Sequence, residues 1–116
     1  TLRDVQNQLK QQGHPWEVAK AFDGAAPMAA FASLPATTDL ADLHFTLTVN
    51  GDVRQQGHSA DMITGIVALL QFIATIFTLQ PGDVVMTGTP EDVAALSAGD
   101  VLVLALGEQS WATRVR

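Results

Sequence analysis

The chain has 116 residues, of which 47% are hydrophobic, enough for one domain with a core but with little apolar area to spare. Twelve acids against six bases leave a net charge of −6, which argues against a nucleic-acid groove and against anionic membrane surfaces. There is no cysteine, so disulfides, thiolate metal sites and a Cys nucleophile are excluded, and a cytoplasmic location is the expectation.

The chain starts at Thr1, without an initiator Met and already within a helical pattern, so it is expected to be a piece of a longer protein. Arg3, Asp4 and Lys10 interrupt any apolar leader. Leu2, Val5 and Leu9 share a face, Thr1 and Asp4 are spaced like a capping box, and Gly13 and Pro15 supply a stop; a short helix over residues 1–12 follows. From Trp16 to Ala36 neither helical nor strand period is clean, and the stretch reads as loop with short strands.

Leu43, Phe45, Leu47 and Val49 alternate with His44, Thr46 and Thr48, which predicts a strand with one buried face. Asn50-Gly51 then predicts a type I′ turn, because both central residues of that turn need positive φ, with Asp52 to Gln56 pairing back. Met62 to Leu79 is 18 residues without a charge, preceded by Ser59 as a candidate cap and ended by Pro81-Gly82. Thr64, Ala68, Gln71, Thr75 and Thr78 draw a small, polar stripe along it, so it reads as a long buried or interface helix rather than a membrane span. Val84 to Met86 predict a short strand, and Val101–Leu106, a Gly107-Glu108 turn and Trp111–Arg116 predict a second hairpin. The total is α+β, dominated by antiparallel strands.

Three places could carry chemistry. Lys20 sits between Val18-Ala19 and Ala21-Phe22; it either lays its stem on apolar surface with its head near Glu17 or Asp23, or is a fixed cation aimed at an anion. In TGTPED, residues 87–92, Thr89 can cap a short helix through Leu96 with Pro90 in its first position, and Gly88 lets a ligand approach the backbone; an ordinary strand-to-helix turn accounts for the same residues. His14, His44 and His58 lack helical ligand spacing and read first as structural, with His58, just before a cap, the most open to another role. No serine lies in a nucleophile elbow, and no pair of acids suggests a hard-metal site within the chain.

TLRDVQ at 1–6, PWEVAKAFD at 15–23, VNGDVRQ at 49–55, SADMI at 59–63 and LQPGDVVMTGTP at 79–90 resemble, in order and spacing, the fumarylacetoacetate hydrolase family, and most of all its acylpyruvate-hydrolase-like members. The resemblance covers nearly all of residues 1–116 and identifies them with the C-terminal portion of a single catalytic domain. It implies a mixed β-sandwich roll, a homodimer, and a metal-dependent enzyme that cleaves a C–C bond of a small 2,4-dioxo acid of acylpyruvate or fumarylpyruvate type by hydrolysis, as in aromatic catabolism. An isomerase or decarboxylase on the same scaffold, or a non-catalytic binding or dimerisation module, is the alternative. By the family's motifs, Gln6, Lys20 and Thr89 are the substrate-binding positions, with Lys20 also catalytic, aimed at the oxyanion of an enolate-like state. The resemblance implies Mg²⁺ or Mn²⁺, held by carboxylates that precede Thr1, so no metal ligand is assigned within the chain. Asp92 and Ala94 stand where the family commonly has glycines after T-G-T-P.

Overall fold

The computed structural model describes residues 1–116, which divide into two compact units, Thr1–Ser33 and Leu34–Arg116.

In the first unit, helix α1 spans Arg3–Gln11 and helix α2 spans Glu17–Lys20. The expected capping box does not form: Leu2 is the residue before α1 and no side chain caps it. The Leu2 N–H instead donates to the Ala19 carbonyl at 3.0 Å, which ties the start of α1 to α2, and Ala19 is fully buried where they meet. Gly13, at φ 67°, takes the left-handed conformation that ends α1. Residues 17–20 are thus helical, not loop with strands, and no strand occurs before His44.

The second unit is built on one antiparallel sheet in the order β2-β1-β3-β4, from β1 (His44–Val49), β2 (Asp52–His58), β3 (Val101–Leu106) and β4 (Gln109–Arg114). Asn50 and Gly51 have φ of 55° and 93°, the two positive values a type I′ turn demands, and Val49 pairs with Asp52. The Gly107-Glu108 turn forms as expected, with Leu106 opposite Gln109. Between Leu47 and Thr48 the β1–β2 register slips by one residue, a bulge on β2. Phe45 lies opposite Gly57, and its ring occupies the space that a β-carbon at Gly57 would need.

Several expectations are corrected. The α+β class and the antiparallel strands stand, in one four-stranded sheet, and no second sheet of a sandwich roll forms within residues 1–116. Along β1, His44 is exposed, Phe45 to Thr48 are half-buried on both faces and Val49 is buried, so burial does not follow the alternation. The long helix shrinks to α3, Ile66–Ala74, and none of its residues is buried; Val67 and Phe72 are more than half exposed. Its beginning is delayed because Ser59 is engaged elsewhere: its hydroxyl accepts the Leu43 N–H at 2.8 Å, residues Ser59–Asp61 form a 3-10 turn, and Met62 is extended. Its end comes early because the Thr75 hydroxyl donates to the Phe72 carbonyl at 2.7 Å and Ile76 bonds back only three residues, to Ile73. At about 1.5 Å per residue, nine residues are far short of a bilayer, and no helix is long and apolar enough to cross one. Val84–Met86 and the segment after Thr89 form neither strand nor helix.

Candidate functional site

In the first unit, Gln6 is one of very few buried residues and the only polar one. Its backbone N–H bonds to Leu2, and its side-chain Oε1 accepts a hydrogen bond of 3.1 Å from Arg3 Nη1. A buried amide held by one partner retains its NH₂ group as a donor. Gln6 is therefore not a free surface residue. Lys20 is the last residue of α2, exposed, with no carboxylate in salt-bridge range, so neither Glu17 nor Asp23 holds its ammonium. Burial of Ala19 next to it fixes the backbone from which the side chain projects. An open hollow beside it is lined by Gly13, His14, Pro15, Trp16, Glu17 and Lys20 itself.

In the second unit, Thr89 lies on a loop held by Gln55 of β2. The Gln55 Nε2 donates to the Glu91 carbonyl at 2.8 Å and lies 3.3 Å from the Thr89 hydroxyl and 3.5 Å from the Pro90 carbonyl. Three oxygens around one nitrogen identify it as the amide donor. The helix expected after Thr89 is absent, so no helix N-terminus stands there; the loop is shaped by Gln55, by Gly88 at φ 104° and by Asp92 at φ 64°. Asp92 thus takes a left-handed conformation at one of the positions where the family commonly has glycine, a conformation that Asp tolerates better than most residues.

Sequence spacing did not single out a third group. Asp42, His44 and His58 come together at the open end of the β1–β2 hairpin. His58 Nε2 and His44 Nε2 lie 2.9 and 3.2 Å from the same oxygen, Asp42 Oδ1, and the two rings stack at 3.9 Å with 13° between their planes. The hydrogen bond from His58, and then that from His44, holds the Asp42 carboxyl below its ordinary range. The resemblance implies Mg²⁺ or Mn²⁺, ions that favour carboxylate, carbonyl and water oxygens. This group offers one carboxylate and two imidazoles, which is not the oxygen-rich set that Mg²⁺ takes, and it is the one cluster of three such side chains in the chain.

Comparison with known proteins places these features in a family. The model for the C-terminal part of fumarylacetoacetate (FAA) hydrolase matches residues 1–115, and the chain belongs to that family. It is 48% identical to the Oxaloacetate tautomerase YcgM of Escherichia coli (strain K12), over 99% of this chain and 53% of that protein. It is 38% identical to the mitochondrial Oxaloacetate tautomerase FAHD1 of Homo sapiens, over 86% of this chain and 45% of that protein. Among solved structures, it matches a fumarylacetoacetate hydrolase family protein from Yersinia pestis CO92 with a TM-score of 0.92 at 42% identity, covering 100% of this chain and 55% of that one. A fumarylpyruvate hydrolase from Pseudomonas aeruginosa, in complex with Mn²⁺ and pyruvate, matches with a TM-score of 0.86 at 32% identity, over 97% and 49% of the respective chains. The chain therefore spans about half the length of these relatives.

Proposed function

We propose that the whole protein is an enzyme that interconverts the keto and enol forms of a small 2-oxo dicarboxylic acid, with oxaloacetate as the first substrate to test. The observation that carries this reading is the 48% identity to an oxaloacetate tautomerase over almost the whole of this chain. It moves the emphasis from C–C hydrolysis to the isomerase alternative.

The chemistry relocates one proton. A C–H bond next to the carbonyl breaks, its electron pair becomes the C=C bond, and the carbonyl π electrons move to oxygen, which takes up a proton. The barrier is the negative charge that gathers on that oxygen, so a fixed cation or a hydrogen-bond donor aimed at it accelerates both directions. Lys20 supplies the ammonium, which no carboxylate of the chain neutralises. Gln6 supplies an amide donor and Thr89 a hydroxyl, each for a carboxylate or carbonyl oxygen of the substrate.

The test is to add enol-oxaloacetate to the whole protein, with Mg²⁺ or Mn²⁺, and follow loss of the enol absorbance. Decay faster than the uncatalysed rate, without release of CO₂, is the expected result; a rate equal to buffer alone removes the reading. Hydrolysis is the second reading, favoured by the likeness to the fumarylpyruvate hydrolase that holds Mn²⁺ and pyruvate. Conversion of fumarylpyruvate and water to fumarate and pyruvate, with no effect on enol-oxaloacetate, would put it first.

A further inference from the structure

We infer that Asp42, His44 and His58 form a second metal site, for a borderline first-row ion of the Zn²⁺ type, which staples the open end of the β1–β2 hairpin. It is separate from the proposed tautomerase chemistry and does not depend on it.

Each donor is placed by the backbone. His44 begins β1 and His58 ends β2, and they are direct cross-strand partners, so their side chains rise from the same face of the sheet. The bulge decides this pairing. Counted straight back from Val49 opposite Asp52, Gly57 would face His44; the one-residue slip between Leu47 and Thr48 brings His58 there instead. Beyond the strands, Leu43 and Ser59 continue the ladder through two bonds, Ser59 N–H to the Leu43 carbonyl at 2.9 Å and Leu43 N–H to the Ser59 hydroxyl at 2.8 Å. Asp42 is held in turn by its N–H bonding to the Asp39 carbonyl at 3.1 Å.

The donor atoms are already gathered. One atom from each residue lies within 4.8 Å of the others, and the two Nε2–Oδ1 separations are 2.9 and 3.2 Å. Around a zinc ion with bonds of about 2.0–2.1 Å to nitrogen and oxygen, adjacent ligand atoms stand roughly 3.0–3.4 Å apart. Two imidazoles and a carboxylate suit Zn²⁺, Ni²⁺ or Cu²⁺, and leave further coordination positions for water. The His44 and Asp42 side chains are 68% and 67% exposed, which gives the ion access and lets the His44 ring turn from the stack to present its lone pair. The three ligands come from the turn before β1, the start of β1 and the end of β2. Binding would therefore close the end of the hairpin opposite the Asn50-Gly51 turn.

The test uses the whole protein without an affinity tag, with Mg²⁺ in excess so that oxygen-donor sites are filled. Zn²⁺ is titrated calorimetrically into wild type, His44→Ala, His58→Ala and Asp42→Asn. Asp42→Asn keeps the shape of the residue, so its result does not hinge on folding. Wild type is expected to bind one more equivalent than the histidine variants, or to bind it at least about tenfold more tightly, with Asp42→Asn weakened as well. Cu²⁺ bound to wild type should show electron paramagnetic resonance splitting from two nitrogens, reduced to one in either histidine variant. Equal Zn²⁺ stoichiometry and affinity in all four proteins, or a Cu²⁺ spectrum that the His44→Ala change leaves unaltered, would overturn the site.

Discussion

The Asn50 side chain reaches across fifty positions of sequence and donates from Nδ2 to Asp100 Oδ1 at 2.9 Å. Its Oδ1 accepts the Val101 N–H at 2.9 Å, and its own backbone N–H bonds to the Val101 carbonyl at 2.8 Å. One residue therefore makes the turn between β1 and β2 and fastens that turn to the start of β3. Asn50→Ala is expected to lose both side-chain bonds and to strain the φ of 55°, lowering stability by roughly 1–2 kcal/mol from the left-handed conformation alone. Asn50→Gly, which keeps the turn but not the bonds, should fall between the two in a denaturant melt. Equal midpoints for all three proteins would remove this role.

Asp100 gives the same junction a pH dependence. The Ser97 N–H, which donates to Oδ2 at 2.7 Å, and then the Asn50 amide hold its carboxyl below the ordinary value. A depressed native pKa means that the unfolded chain takes up the proton first, so the contribution is complete above the ordinary Asp range near 3.9 and is lost as pH falls through the lowered native value. Asp100→Asn should flatten the acid limb of the stability curve and leave its neutral-pH slope unchanged. An acid limb identical to wild type would show that this carboxylate is not linked to folding.

How much of this was legible in the sequence depends on how local each determinant is. The Asn50-Gly51 turn was readable because two adjacent residues set its dihedral angles, and both hairpins follow from such turns. The length of α3 was not, because the hydroxyl of its expected cap, Ser59, is taken by the Leu43 N–H, sixteen residues away. The Asp42–His44–His58 group was hidden for a related reason: a bulge that leaves no clear mark in the local pattern sets which residue faces His44. Of the candidate site, the motifs supplied Gln6, Lys20 and Thr89. What they could not supply was the burial of Gln6 or the grip of Gln55 on the 89–91 backbone.

The left-handed Asp92 makes a prediction with two signs. Asp92→Gly suits a φ of 64° and is expected to leave stability unchanged or raise it by up to about 1 kcal/mol, whereas Asp92→Val, β-branched in the same conformation, should lower it by about 1–2 kcal/mol. Removing the carboxylate also takes a negative charge from the neighbourhood of Thr89, so both variants should show a lower KM for a dianionic substrate. Thermal melts and steady-state kinetics together check this, and an indistinguishable melt for glycine and valine would contradict the strained backbone.

Gln55 tests whether the shape of the Thr89 loop matters to turnover. Gln55→Ala removes the donor to the Glu91 carbonyl and the contact to Thr89 while leaving the β2 backbone pairing in place. As a positioning residue it should lower kcat/KM by about tenfold, equivalent to about 1.4 kcal/mol of transition-state stabilisation, with the far-ultraviolet circular dichroism unchanged. Gln55→Glu, which places acceptors against carbonyl oxygens, should do no better, and full activity in both variants would free the loop from this anchor.

Lys20 carries the sharpest prediction. Its ammonium has no carboxylate partner in the chain, while its backbone is fixed by the burial of Ala19 and by the Leu2–Ala19 bond. A cation that only covers apolar surface can be shortened at small cost to stability and none to turnover. A cation that meets charge developing on a substrate oxygen cannot, and losing such a group costs on the order of 10²–10³ in kcat. Lys20→Ala is therefore expected to lower turnover by that factor with little change in melting temperature. Lys20→Arg, still charged but with a planar fork in place of a compact ammonium, should recover part of the loss. Wild-type kinetics in Lys20→Ala would assign the residue to surface packing and leave the oxyanion to other groups.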